Sequence, residues 1–138
     1  MEDRYLCKAK RTDKGQWVIG FYAYINKKHY IYTGQLIHSG LYDIAERFEV
    51  DPSTICWCTG SKDKNGKLIW ENDIIECKDG KHNFQTQIEW DAYCAGFIFQ
   101  DTETSAVGLD AIATNGLYSE SKVIGNIFDN KDLLESEE

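Results

Sequence analysis

The sequence predicts a mainly β protein, an N-terminal antiparallel meander followed by a small β-barrel, with at most one or two short helices. Three observations predict it. Apolar and polar residues alternate with period two over short stretches such as Ile55-Cys56-Trp57-Cys58-Thr59, the pattern of half-buried strands. Turn-forming residues separate these stretches at ~8 to 12 residue intervals, the spacing of a small barrel or sandwich. Asn65-Gly66 stands between two alternating arms, the signature of a β-hairpin.

In chain order, Tyr5 to Lys10 alternates Tyr5, Cys7 and Ala9 against Leu6, Lys8 and Lys10, a strand with one wetter face. Asp13-Lys14-Gly15 turns the chain into a long aromatic strand, Gln16 to Ile25, and Asn26-Lys27-Lys28 turns it again into His29 to Thr33. These form the meander. Leu41, Ile44, Ala45 and Phe48 follow the spacing i, i+3, i+4, i+7 behind Ser39 as an N-cap, which predicts a short helix or turn giving way to a strand before Asp51-Pro52. Tyr42, Ile44, Phe48 and Val50 fit a strand as well.

Residues 54 to 128 are read as a barrel of the SH3-like class. Asn65-Gly66 between two alternating arms predicts a two-residue type I′ hairpin, because both central residues need positive φ. Glu71-Asn72-Asp73 allows only a second tight turn, with Asn72 as its left-handed residue. Strands are expected at Ile74 to Lys78, Thr86 to Trp90 and Phe97 to Gln100, with a turn at Asp79-Gly80. Val123 to Phe128 closes the barrel, Gly125 marking a bulge or bend. Asp101 to Ser121 is the least patterned segment, with a helical turn at Leu109 to Ala113. The expected organisation is a meander unit 1–53, a barrel unit 54–128 and a frayed acidic tail 129–138, in which Leu133-Leu134 docks on the body or a partner.

Several segments together carry a resemblance. Thr59-Gly60, Asp63-Lys64-Asn65-Gly66, Ile69-Trp70-Glu71 and Asp73-Ile74 form the core of it. Gly15, Trp17-Val18, Gly20, Tyr22 and His29-Tyr30-Ile31 precede that core, with Val50-Asp51-Pro52 and Thr54. Glu89-Trp90-Asp91, Gly96-Phe97, Val123 to Ile127 and Asp129-Asn130 follow it. In this order they resemble the YopX family of phage and prophage proteins over nearly the whole chain. The sequence departs from that pattern at Cys58 for an aromatic, Ser61 for Leu and Asn72 for Gly. The resemblance implies phage origin and a small β-rich fold, with no mechanism attached.

Composition and charge exclude several functions. At 138 residues with 42% hydrophobic content, the chain is globular and long enough for one ordinary core or two very small ones. No apolar run approaches a membrane span. Met1-Glu2-Asp3-Arg4 lacks a secretory pattern, and five cysteines suit reduced thiols, so the cytoplasm is the expected compartment. Residues 1–34 carry a net +4, residues 35–100 a net −5 and residues 101–138 a net −7. Direct nucleic-acid binding is therefore not expected, because phosphate contacts dominate that affinity.

The chemical constellations are outweighed by plainer readings. Cys56, Cys58, Cys77 and His82 contain the elements of a Cys₃His zinc site, but lack the second paired knuckle, and small core thiols are common. Ser61, Asp63, Asn65 and Gly66 imitate a calcium loop without its Asp at position 1 or Glu at position 12. Asp63 with Glu76 and Lys78 has the order of a metal-dependent nuclease site, while alternating charges on a strand are usually its solvated face. His29, His38 and His82 lie in separate segments with no nucleophile motif. No catalytic residue, metal or cofactor is expected.

What remains is a binding surface. Tyr22, Tyr24, Tyr30 and Tyr32 offer an aromatic platform, and Asp129, Asp132, Glu135, Glu137 and Glu138 an acidic one. The expected function is that of a phage-encoded, non-enzymatic protein that binds a host or phage protein. The type envisaged is an acidic inhibitor of a nucleic-acid-binding host or defence protein, as in anti-CRISPR or anti-restriction action. The alternative is a self-associating assembly module, a homo-oligomer in which the basic N-terminal unit of one copy meets the acidic part of the next. The third is the metal-dependent nuclease.

Overall fold

The computed structural model describes residues 5–78, 83–100, 106–112 and 118–135. The chain divides into two compact units, Met1–Cys58 and Thr59–Glu138. Strands dominate both units, and the pairings are antiparallel.

The first unit is a meander of β1 (Cys7–Lys10), β2 (Trp17–Ile25), β3 (Lys28–Ser39) and β4 (Tyr42–Glu49), in which β1 also pairs with the start of β5 (Cys56–Lys62). Cys7, Ala9, Ile31 and Val50 form its core, with Val18, Tyr22 and Ile55 packed against them. The β2–β3 turn places both Asn26 (φ 51°) and Lys27 (φ 67°) in the left-handed region, the geometry of a type I′ hairpin. Gly20 of β2 is buried where a Cβ would stand 2.0 Å from the Tyr32 carbonyl oxygen, so no side chain fits that crossing of β2 and β3.

From Tyr42 the segment expected as a short helix or turn is a strand, and only Leu41 lies in the turn before it. β4 pairs with β3 from Ser39↔Tyr42 to Tyr30↔Glu49, with a register shift between Tyr32 and Leu36. That ladder gives the backbone a partner, whereas a two-turn helix falls below the ~12 to 15 residues at which isolated helices become marginal. The stripe that suggested a helix is also not a core stripe, since Leu41 is 97% and Ile44 49% exposed. β3 correspondingly runs six residues past its expected end at Thr33. Its pairing with β2 stops at Phe21↔Tyr32, so the distal parts of β3 and β4 form a two-stranded arm.

In the second unit, the later part of β5 neighbours β6 (Leu68–Trp70). β7 (Asp73–Lys78) lies between β8 (Asn83–Gln87) and β12 (Lys122–Asn126), and β10 (Gly96–Gln100) lies between β9 (Glu89–Asp91) and β11 (Ala106–Gly108). Among the described residues no ladder joins these two three-stranded sheets into the closed wall of an SH3-like barrel. Ile69, Ile75, Cys77, Phe84, Ile88, Phe99, Leu109, Ile112 and Tyr118 make the core. The ring of Tyr118 meets Phe84 and Phe99 edge-on at 5.8 and 5.5 Å.

The β5–β6 turn differs from the two-residue form expected for Asn65-Gly66. Asp63 N–H donates to the Lys67 carbonyl and Gly66 N–H to the Asp63 carbonyl, which defines a three-residue loop. Only Gly66 (φ 80°) of the pair takes positive φ. Asp63 Oδ1 accepts from Asn65 N–H and Lys67 N–H, each at 2.9 Å, and this side-chain turn selects the longer loop. Asn72 is left-handed at φ 71° as expected, and the register of β12 shifts between Val123 and Gly125. Leu109–Ile112 forms a 3₁₀ turn. The C-terminal stretch includes a short helix, α1 (Asp132–Glu135), beside β8 with Leu133 and Leu134 half-buried, in place of a fully frayed tail. Asp79, Gly80, His82, Glu137 and Glu138 lie outside the described residues.

Candidate interaction surface

The signature carboxylates are occupied by backbone. Besides its two contacts within the turn, Asp63 accepts through Oδ2 from Val123 N–H at 2.9 Å, and the residue is buried. Asp73, also buried, caps the following turn by accepting from Trp70 N–H at 2.8 Å. Thr59 Oγ1 donates to the Ile69 carbonyl at 2.6 Å and accepts from Ser61 N–H. Of the nuclease candidates, Asp63 is thus a turn residue, and Glu76 is shared between Lys122 at 3.9 Å and Gln85 at 3.4 Å.

The cysteines belong to the cores. Cys7, Cys56, Cys58 and Cys77 are buried and Cys94 is exposed. Cys56 Sγ donates to the Thr54 carbonyl, and Cys77 packs with Phe84 and Phe99 in the second unit. Burial pushes the thiols of Cys7 and Cys77 up to about 11. Among the described residues no three His, Cys, Asp or Glu side chains converge as metal ligands would, and no helix is long and apolar enough to cross a membrane.

The four tyrosines divide between the two faces of the meander. Residues directly opposite in an antiparallel pair point to one side, so Tyr22, opposite Ile31, lies on the core face. There its hydroxyl meets His29 Nδ1 at 2.6 Å, and Tyr24 packs on the same imidazole at 4.8 Å. Tyr32, opposite Phe21, and Tyr30, opposite Ala23, lie on the other face. The Arg47 guanidinium sits 4.0 Å over the Tyr30 ring and donates to the Tyr32 hydroxyl at 3.2 Å.

That second face is open. Ile19 and Phe21 are 50% and 51% exposed, and Lys8 and Lys10 stand over the Trp17 ring at 4.8 and 5.5 Å. An apolar strand surface rimmed by cations on aromatic rings is suited to a partner, since Tyr, Trp and Arg dominate binding hot spots. Periodicity indicated the aromatic strands but not the division of their faces. The register that decides it comes from β3, not from β2 alone.

The β3–β4 arm adds apolar surface that was not singled out from the sequence. Ile37 and Ile44 face each other across the strands on one side, and Leu36 and Ala45 on the other. Leu36 is 64%, Leu41 97% and Tyr42 72% exposed. The signal available was Ser39-Gly40, a turn dipeptide centred between two apolar stretches. In the acidic stretch, Asp129 and Asp132 are exposed, and Asp129 Oδ2 accepts from Asn126 Nδ2 at 3.2 Å.

Comparison with known proteins adds two findings. A family model described as YopX protein matches residues 5–135. The chain also resembles the crystal structure of protein EF1440 from Enterococcus faecalis, with a TM-score of 0.58 and 23% identity, over 93% of this chain and 96% of that one. That likeness concerns the fold. No curated protein matches the chain.

Proposed function

The chain belongs to the YopX family, and from that premise we propose that it is a phage-encoded, non-enzymatic binding protein that engages a host or phage protein through the open face of its meander. One observation carries the reading. Phe21 and Ile19 are half-exposed on a sheet face bordered by Tyr30, Tyr32 and Arg47, apolar area that a solitary protein gains nothing by leaving wet. The engagement of Asp63 by three backbone donors weighs in the same direction, because it occupies one of the two carboxylates of the nuclease constellation. The test is co-purification of the tagged protein with proteins of a bacterial host, comparing wild type with Phe21→Ser/Ile19→Ser. The reading expects one partner to be captured by wild type and lost with the double variant. Equal capture by both would remove the face from the interaction.

Charge favours a second reading for the target. Residues 101–138 carry nine acids against two lysines, so a protein with a positively charged, nucleic-acid-handling groove is the partner this stretch complements. In that case added DNA and salt release the captured protein, and reversal of the acids weakens it. Capture indifferent to both would leave the acidity a matter of solubility.

A further inference from the structure

β4 is the edge strand of its sheet, with β3 on one side only. Along an antiparallel strand, successive residues turn their N–H and C=O groups to opposite sides. Val50 N–H donates to the His29 carbonyl on the β3 side, while the Glu49 carbonyl accepts from Thr12 N–H on the other. Stepping back along β4 from there, Tyr42, Ile44, Glu46 and Phe48 face β3. Asp43, Ala45 and Arg47 turn their backbone groups to the free edge, and among the described residues no backbone partner meets them. This free edge is bounded at one end by the Gly40–Leu41 turn and at the other by Thr12 on Glu49. Its midpoint is Ala45.

We propose that this edge pairs with the same edge of a second copy of the chain, antiparallel about a two-fold axis through Ala45. An isologous contact of this kind closes on itself and stops at a dimer. The register about Ala45 is the one in which every outward backbone group of both copies finds a partner. Two of its three side-chain pairings are also complementary: Asp43 of one copy, which meets His38 within its own chain, stands opposite Arg47 of the other, and Tyr42 opposite Phe48, while Ile44 stands opposite Glu46, each twice by symmetry. Opposite charges and aromatic pairs directly across strands stabilise a sheet. Competing registers fare worse. An axis through Asp43, Glu46 or Arg47 sets like charges against each other, and one through Ile44 carries Arg47 past the end of the strand onto the turn.

Native edges are commonly blunted by inward charges, Pro or lysines. Tyr42–Glu49 holds neither Pro nor Lys, its charges are of both signs, and Leu36, Ile37 and Tyr42 are exposed around it. Directly opposite residues share a side of the sheet, so the pairing sets Tyr30, Tyr32 and Arg47 of both copies on one side. This last consequence rests on the open face being the binding surface, and it would make the dimer bivalent.

The decisive measurement is the mass of the full chain by sedimentation equilibrium across a dilution series. Wild type is expected to be a dimer that dissociates on dilution. Ala45→Pro removes an N–H that has no backbone partner among the described residues and blocks the centre of the edge, so it is expected to be a monomer with an unchanged far-ultraviolet spectrum. Asp43→Arg and Arg47→Asp place like charges opposite each other, each weakening its own dimer roughly 10- to 100-fold. Mixed together, those two variants restore opposite charges at every position, and native mass spectrometry should show a one-to-one heterodimer, which misfolding cannot imitate. A monomeric wild type, a dimeric Ala45→Pro, or the lack of a heterodimer in the mixture would each overturn the proposal.

Discussion

Asp63 shows how one side chain holds a motif together. Its carboxylate accepts from three backbone N–H groups, two inside its own turn and one at Val123, sixty positions on. Hydrogen bonds to a buried charge are stronger than neutral ones, and their loss strands the donors. Asp63→Ala is expected to cost about 2–4 kcal/mol in urea unfolding, with Asp63→Asn costing less because one acceptor oxygen survives. The turn role was legible from the sequence. The contact to Val123 was not, since nothing local specifies a partner so distant. The cysteines give a second test at this scale. Four are buried and Cys94 is exposed, so a thiol reagent should label one group per chain in the native state and all five after unfolding. Cys7 and Cys77 are raised from 9.0 to about 11 by burial. A folded-state value above the unfolded one favours the native state fully below pH 9.0 and loses that contribution as pH climbs through about 11. Stability should therefore decline over that alkaline window, and Cys77→Ala should flatten the decline.

Hairpins are the elements that organise both units, and their turns do not all follow the strongest local signal. Asn65-Gly66 has the strongest type I′ signal, yet that geometry belongs to Asn26-Lys27, where Lys27 sits at φ 67°. A non-Gly residue there is strained by contact between Cβ and the following carbonyl. Lys27→Gly is expected to raise stability by about 0.5–1 kcal/mol, read as an increase in melting temperature. Gly20 is the opposite case. Its would-be Cβ lies against the Tyr32 backbone, so Gly20→Ala should force β2 and β3 apart and lower stability by about 1–3 kcal/mol. The misreading of 41–48 has a physical cause. Leu41, Ile44, Ala45 and Phe48 satisfy a helical period and Tyr42, Ile44 and Phe48 a strand period, and only the presence of β3 as a hydrogen-bonding partner selects between them.

For the whole molecule, charge follows the division of the chain. Residues 1–58 hold eight Lys or Arg against seven acids, a net +1, and residues 59–138 seven against sixteen, a net −9, which together make the −8 of the chain. Replacing Asp129, Asp132, Glu135, Glu137 and Glu138 by Lys should abolish the salt sensitivity of partner capture if the acidic stretch steers it, with a far-ultraviolet spectrum to check that the fold is kept. The sequence by itself determined the β class, the left-handed Asn72, the bulge near Gly125 and the family, because each depends on local φ/ψ preference or a linear run of residues. The division of the tyrosines between two faces, the burial of Tyr118, the third hydrogen bond of Asp63 and the exposed edge of β4 were decided by tertiary structure. Strand register and sheet order arise between segments far apart in the chain, and a one-residue change of register moves every side chain to the opposite face.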